Sequence, residues 1–245
     1  MARRSPAKPS LTQQCPPPDF LLDVVARLLQ RYVPVLPAPR RFPEPLSGVV
    51  RVLLAQQNTR WVAQRQWEAL QATYPQWEAA LLDGPDGLET TLRRAGGGLT
   101  RMKAGYIYGV LAALEEAHGR LSLEFLRDLP DAEARAALEA LPGVGQKTAS
   151  LVLLFDLIRP AMPVDGHIER WAKRLELVPE KWNVNRVEKW FDEALPRDWE
   201  LRYGLHLSGV NHGRETCKSQ RPLCAECVLL ELCPSAGIVL SGDRE

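Results

Sequence analysis

The sequence predicts an all-α protein, and three observations support this prediction. Apolar residues recur at three- and four-residue spacing along most of the chain, as they do on one face of a helix. No segment shows the alternation of apolar and polar residues that is typical of a strand. About ten short helical segments, with no internal repeat and no coiled-coil heptad, indicate helices packed at steep angles. The 245 residues suffice for one large domain or two small ones.

The composition is that of an ordinary globular chain, with 45% hydrophobic and 25% charged residues. No uncharged stretch exceeds about eleven residues, whereas a membrane helix needs roughly 18–20. The basic N-terminus has no apolar segment behind it, so we expect a soluble cytoplasmic protein without a secretory signal. The net charge of +1 decides nothing about partners. Basic residues concentrate in 1–45 and 90–114, either as solvated surface or as contacts to nucleic acid.

The N-terminal part of the chain is rich in proline. Five prolines in residues 1–18 predict a flexible arm without regular hydrogen-bonded structure. The first helix begins near Asp19 and ends before Pro34, and a proline-rich connector follows as far as Pro45.

Ten further helices follow, and residues that favour helix ends bound several of them. Thr59, Asp131, Asp165 and Asp198 are candidate N-caps, and Gly84, Gly119 and Pro196 are candidate stops. The predicted helices cover residues 47–57, 59–73, 76–82, 86–94, 100–117, 131–140, 146–158, 166–176, 184–194 and 198–212. Trp61, Trp67, Trp171 and Trp190 lie on predicted helix faces, and we expect all four in the core.

A tight turn with two glycines separates two of these helices, in Leu141-Pro142-Gly143-Val144-Gly145-Gln146-Lys147-Thr148-Ala149. Gly143 and Gly145 permit backbone torsions that other residues resist. The amides of this turn and of the next helix's first turn would form a positive end that binds phosphate without reading sequence. A purely structural turn is the alternative.

Four of the five cysteines, Cys217, Cys224, Cys227 and Cys233, lie within seventeen residues. In a cytoplasmic chain, thiols at this spacing indicate a metal or cluster site more than disulfides. Zinc and an iron–sulfur cluster both take four thiolates. Cys15 lies apart and is expected to be a spare thiol.

Three motifs in register resemble the endonuclease III family of helix-hairpin-helix DNA glycosylases. The 141–149 segment resembles the family's hairpin signature, and Val164-Asp165-Gly166-His167 resembles the segment with its catalytic aspartate. His212-Gly213-Arg214 followed by the four cysteines resembles its [4Fe–4S] cluster loop. The resemblance spans about residues 20–234 and implies a [4Fe–4S] cofactor rather than zinc.

The resemblance implies that Lys147 is the nucleophile and that Asp165 stabilises the charge on the sugar. A lysine here implies a bifunctional glycosylase and AP lyase, whereas relatives without it only remove bases. The alternatives are a phosphate-binding lysine for Lys147 and an ordinary N-cap for Asp165. Gly143, Gly145, Thr148 and His167 are further candidate DNA contacts, although His167 could simply pack.

An enzyme that acts on a base in a duplex must turn the nucleotide out and fill the gap. The resemblance assigns this role to Gln57, in Leu54-Ala55-Gln56-Gln57-Asn58-Thr59, and to Leu99, in Gly98-Leu99-Thr100-Arg101-Met102-Lys103-Ala104. A polar helix end for Gln57 and a core leucine for Leu99 are the alternatives. The sequence departs from the family pattern around the expected base pocket, at Arg60, Thr100, Arg101, Met102 and Gly166.

Together, these observations predict the helix-hairpin-helix glycosylase fold, with a six-helix domain over 38–159. Residues 19–37 and 160–245 would form an iron–sulfur cluster domain, and DNA would lie in a cleft between the two. The expected protein is a monomeric, nucleoid-associated base-excision repair glycosylase with AP lyase activity on oxidised or ring-saturated pyrimidines in double-stranded DNA. A monofunctional alkyl-purine or mismatch glycosylase and a non-catalytic, structure-specific DNA-binding protein are the alternatives.

Overall fold

The structure is a computed structural model that describes residues 9–39 and 44–241, except for the side chains of 238–241. Within these ranges the regular structure is helical, without a strand, which confirms the all-α prediction. Three short 3-10 helices, Glu124–Arg127, Cys224–Glu226 and Leu230–Leu232, connect longer elements. The α-helices of this part of the chain are α1 Leu11–Gln14, α2 Leu21–Tyr32, α3 Pro45–Ala55, α4 Arg60–Thr73, α5 Trp77–Ala95, α6 Thr100–His118, α7 Asp131–Glu139, α8 Gln146–Phe155, α9 Gly166–Arg174, α10 Val184–Ala194, α11 Trp199–Glu215 and α12 Pro234–Ser241.

Helix α1 is the main departure from the predicted elements, because the prolines of residues 1–18 predicted no hydrogen-bonded structure. Ser10 and Gln13 form a capping box, in which each side chain accepts a hydrogen bond from the backbone N–H of the other. Trp190 Nε1 then donates to the Cys15 carbonyl at 2.7 Å, which anchors the end of this segment. The prediction of an arm is therefore wrong for residues 10–15, and residues 1–8 lie outside the described ranges.

The predicted caps and stops agree with the structure in most cases. Thr59, Asp165 and Asp198 each accept hydrogen bonds from the first turn of the helix that follows. Asp131 does not cap α7, because Pro130 occupies the N-cap position and Asp131 is the first helical residue. Gly84 has φ +75° and interrupts α5 just before Pro85, so the two helices predicted over 76–82 and 86–94 form one broken element.

The described residues form two compact units. The terminal unit is drawn from Met1–Ala38 and Pro160–Glu245, and the central unit from Pro39–Arg159. In the central unit, α3 packs against α4, α6 and α8, α5 packs against α4 and α6, and α7 packs against α8. In the terminal unit, α11 packs against α2 and α9, while α10 packs against α1 and α9.

Aromatic residues form much of the core in the terminal unit. Trp171 and Trp190 are buried, and both rings make edge-on contacts with Phe191. Trp67 is buried in the central unit, so the core prediction is confirmed for these three tryptophans. It is wrong for Trp61, which is 81% exposed. Trp61 precedes Trp67 by six positions. At about 100° per residue, this offset places the two side chains on different faces of α4.

None of the helices in the described part of the chain has both the length and the apolar character needed to cross a membrane.

Candidate active site

The glycine turn between α7 and α8 brings an open backbone surface to the start of α8. Gly143 has φ +75°, and a side chain there would overlap the ring of Tyr106. Gly145 is the N-cap of α8 and is exposed, with no heavy atom within 4 Å of where its Cβ would be. The first-turn amides of α8 therefore lie at a positive helix end that an anion can approach.

Lys147 and Thr148 lie in the first turn of α8 and on different faces of the helix. Lys147 is exposed, as a side chain that reaches a substrate must be. Thr148 is buried, and its hydroxyl accepts a hydrogen bond from Gln56 Nε2 at 3.4 Å. Of these two neighbours, only Lys147 presents its side chain to solvent.

Asp165 caps α9 with one oxygen and keeps the other available. Its Oδ1 accepts from the N–H groups of His167 and Ile168, both at 2.9 Å. Its Oδ2 has no hydrogen-bond partner among the residues that the structure describes. The preceding backbone is held by Glu188, whose Oε2 accepts from the Val164 N–H at 3.1 Å. The cap and a chemical role for the second oxygen are therefore compatible.

His167 lies against the helix that precedes the cysteines. Its Nδ1 is 3.2 Å from Arg170 Nη2, and it is half-buried. A Cβ on Gly213 would come within 2.6 Å of the His167 Cβ, so α9 and α11 approach closely here. This environment is that of a packed side chain that keeps part of its ring accessible.

Gln57 and Leu99 share an uncommon backbone conformation. Both have φ in the left-handed region, +51° for Gln57 and +57° for Leu99, where residues other than glycine are strained. Gln57 is exposed just beyond the end of α3, and Leu99 is 42% exposed as the N-cap of α6. A core position for Leu99 is thereby excluded. Gln57 lies in the short loop before α4, and Leu99 lies in the short loop before α6.

Sequence reasoning missed two features near these loops, namely the exposure of two apolar side chains and the burial of one lysine. Trp61 and Met102 are exposed apolar side chains in the first turns of α4 and α6. Lys103, grouped with the basic zone of 90–114, is fully buried, and its Nζ donates to the Leu54 carbonyl at 2.8 Å. The helical spacing around Trp67 was a signal that could have placed Trp61 outside the core. No comparable signal marked Lys103.

The residues that depart from the family pattern lie on these same helix starts. Arg60 is the first residue of α4, and Thr100, Arg101 and Met102 form the first turn of α6. Gly166 is the first residue of α9, directly after Asp165, and has open space where a Cβ would lie.

The four clustered cysteines line one apolar pocket in the terminal unit. Cys217, Cys224, Cys227 and Cys233 are all half-buried there, between α9, α11 and the C-terminal 3-10 helices. The pKa of Cys227 is raised to about 11, mainly by burial and in part by the three neighbouring cysteines. Four thiols that line one pocket are a donor set typical of a metal or cluster site.

Two hydrogen-bond donors point at sulfur atoms of this pocket. Arg174 Nη1 lies 3.3 Å from Cys217 Sγ, and the Leu229 N–H donates to Cys227 Sγ at 3.4 Å. Arg174 and Arg170 also donate to the carbonyls of residues 213 and 217–219, which fastens the cysteine loop to α9. Such donors stabilise negative charge on sulfur.

The donor set suits a metal or cluster site. Four thiols line this one pocket, and four thiolates can hold either a zinc ion or an iron–sulfur cluster.

The chain is similar to known DNA-repair proteins, although no protein-family model matches it. An Arabidopsis thaliana protein, named as a DNA glycosylase, is 33% identical over 198 residues, which are 81% of this chain and 64% of that protein. Endonuclease III of Escherichia coli K12 is 35% identical over 195 residues, 78% of this chain and 84% of the enzyme. The second relative is thus matched over most of both chains.

The fold is also similar to that of a solved complex. A trapped covalent intermediate of endonuclease III with DNA superposes with a TM-score of 0.73 at 28% identity, covering 95% of this chain and all of that one. The helix-hairpin-helix glycosylase fold predicted from the sequence is thereby confirmed. Lys147 belongs to the central unit and Asp165 to the terminal unit.

Proposed function

The chain belongs to the endonuclease III family, and we propose that it is a base-excision repair DNA glycosylase with AP lyase activity. Its substrate is double-stranded DNA that contains oxidised or ring-saturated pyrimidines or abasic sites. The observation that carries the proposal is the position of Lys147, exposed in the first turn of α8 directly after the glycine turn. An enzyme that acts on chromosomal DNA would work at the nucleoid.

Lys147 supplies the nucleophile in this proposal. The neutral amine adds to C1′ of the damaged nucleotide, the bond from C1′ to the base breaks, and the base leaves with the electron pair and takes up a proton. Loss of an amine proton and opening of the sugar give a Schiff base between Nζ and C1′. A base then removes a proton from C2′, and the 3′ phosphate leaves by β-elimination.

Asp165 supplies the counter-charge. Its Oδ2, which the cap leaves available, stabilises the positive charge that develops on the sugar as the base departs. The same carboxylate relays protons to and from the amine. The cap on α9 holds the group in one orientation while it does so.

Six further residues contact the DNA. Gly143, Gly145 and Thr148 contact a backbone phosphate through their amides, because the Thr148 side chain is buried and its hydroxyl faces Gln56. His167 contributes the accessible part of its ring. Gln57 fills the space that the extruded nucleotide leaves, and Leu99 wedges the opposite side.

Cys217, Cys224, Cys227 and Cys233 hold a [4Fe–4S] cluster in this proposal. The shared pocket and the two donors to sulfur support it. The cluster would supply a structural or redox-linked centre and would take no part in hydrolysis. The Arg170 and Arg174 hydrogen bonds fasten its loop to the helix that begins after Asp165.

Borohydride trapping tests the proposal directly. Two labelled duplexes, one with an abasic site and one with thymine glycol, are incubated with enzyme and sodium borohydride, and covalent adducts are separated by electrophoresis. We expect adducts on both. Lys147→Gln should abolish trapping and leave DNA affinity within about twofold, because the phosphate contacts are backbone amides.

Lys181→Gln is the matched control, since Lys181 is an exposed lysine of the terminal unit. Trapping that persists in Lys147→Gln would remove Lys147 as nucleophile. Base release without strand cleavage would identify a monofunctional glycosylase, and alkylated purines would then be the first lesions to test. Equal affinity for damaged and intact duplex without base release would identify a non-catalytic DNA-binding protein.

A further inference from the structure

A chain of hydrogen bonds, buried at Lys103 and partly buried elsewhere, begins at the last turn of α3. The Leu54 carbonyl, whose helical partner is missing because α3 ends, accepts from Lys103 Nζ at 2.8 Å and from Asn58 Nδ2 at 2.9 Å. Lys103 comes from the first turn of α6, four residues after Leu99. The Leu54 carbonyl therefore joins the loop that contains Gln57 to helix α6, whose N-cap is Leu99.

A second path joins the same two loops. Asn58 Nδ2 also donates to Gln66 Oε1 at 2.9 Å, and Gln66 Nε2 donates to the Gly96 carbonyl at 2.8 Å. A Cβ on the next residue, Gly97, would lie 3.0 Å from Gln66 Nε2 and would overlap the Val62 side chain. The backbone before Leu99 is thus packed closely on α4 and bonded to it through a fully buried amide.

The loop is also bonded to the hairpin on its other side. Gln56 Nε2 donates to the Gly143 carbonyl at 3.1 Å, and it lies 3.4 Å from Thr148 Oγ1. The residues on both sides of Gln57 are therefore anchored, while Gln57 itself is exposed. A residue other than glycine in the left-handed region is strained, and this backbone conformation persists only where its surroundings hold it.

Stability alone does not account for Lys103. Among the described residues, its Nζ makes one hydrogen bond, to a carbonyl, and it forms no ion pair there. A fully buried ammonium of this kind costs more free energy than an apolar side chain of similar volume. Burial accordingly lowers the pKa of Lys103. The residue is therefore better explained by what it positions than by what it stabilises.

We propose that Lys103 and Gln66 are positioning residues that hold the Gln57 loop and the Leu99 loop at a fixed spacing before DNA binds. The Gln57 and Leu99 side chains then enter the duplex together as the nucleotide turns out. Because the loops are already ordered, binding loses no conformational entropy in ordering them. This inference rests on the proposed function, and it adds residues that do not themselves touch DNA.

The test separates nucleotide extrusion from chemistry. Lys103→Met and Gln66→Met remove the hydrogen bonds while keeping side-chain length. Each variant is trapped with borohydride under single-turnover conditions at an abasic site in a fully paired duplex, and at the same site inside an unpaired segment of several nucleotides. The paired site requires unstacking and gap filling, whereas the unpaired site requires little of either. We expect a roughly ten- to a hundredfold loss of rate on the paired site and less than about twofold on the unpaired one.

Gln71→Met, an exposed position on α4, and Lys181→Met are the matched controls, and thermal unfolding of every variant monitors the fold. Equal losses on both substrates, or no loss on either, would overturn the positioning role. Gln66→Met carries the test by itself should Lys103→Met not fold. Failure of the wild-type protein to trap either substrate would instead overturn the proposed function, and the inference with it.

Discussion

Burial determines what single charged residues contribute in this protein. Lys147 and Lys103 have the same side chain, but the first is exposed at a helix start and the second is enclosed beneath two loops. Asp165 and Asp156 differ in the same way. Asp165 is half-buried with one oxygen capping α9, whereas Asp156 is buried with its Oδ1 unsatisfied among the described residues.

Asp156→Asn should change the pH dependence of stability. The pKa of Asp156 is raised to about 7, mainly by burial and in smaller part by the nearby Glu44, against the lowering effect of Arg127 and Arg51. Between the unfolded value near 3.8 and about 7, the folded state keeps a proton that the unfolded state has lost, so stability falls as pH rises.

Asparagine has the same shape and no charge, so the variant should gain stability over the wild type across this interval, by at most about 4 kcal/mol. Thermal unfolding of both proteins from pH 4 to pH 8 measures this difference. A difference that stays constant over that range would contradict the assignment.

At the scale of elements, helix starts carry the predicted chemistry. Arg60 and Trp61 lie in the first turn of α4, and residues 100–103 form the first turn of α6. Lys147 lies in the first turn of α8, and Gly166 is the first residue of α9. The turns before them use unusual backbone conformations, at Gln57, Leu99 and Gly143. Amides without helical partners occur only at such starts, which makes them suited to binding phosphate.

Gly143→Ala should damage the hairpin specifically. An alanine in the left-handed backbone region, together with its overlap with Tyr106, should lower the free energy of unfolding by about 1–3 kcal/mol. Displacement of the α8 amides should also weaken binding to undamaged duplex. Gly105→Ala is the control, because a Cβ on Gly105 in helix α6 meets no atom within 4 Å and should stabilise the protein by about 0.5–1 kcal/mol. Calorimetry and fluorescence anisotropy measure the two effects. Equal stability of the two variants would be the contrary result.

At the scale of the whole molecule, the two units depend on different sources of stability. The central unit buries its apolar residues around α3, including Val49, Val50 and Leu53. In the terminal unit, Cys217, Cys227 and Cys233 pack at the edge of an aromatic core, and the cysteine loop is held by Arg170 and Arg174. A bound cluster would therefore stabilise the terminal unit first.

Cys227→Ser should remove the cluster and lower the unfolding temperature of the terminal unit, while the central unit unfolds as before. Iron and sulfide analysis, visible absorbance and calorimetry measure these effects. Cys15→Ser is the matched control, since Cys15 is a half-buried thiol outside the group of four. Zinc in place of iron in the wild-type protein would contradict the [4Fe–4S] assignment.

The sequence by itself determined the all-α class, most helix bounds and the motifs around Lys147, Asp165 and the four cysteines, because periodicity, capping residues and ligand spacing are local properties. Only the tertiary structure decided the rest. It decided that Trp61 is exposed, that residues 11–14 are helical, and that Lys103 is buried beneath Leu54. The burial of a side chain depends on what packs against it from distant parts of the chain, and no local pattern records those contacts.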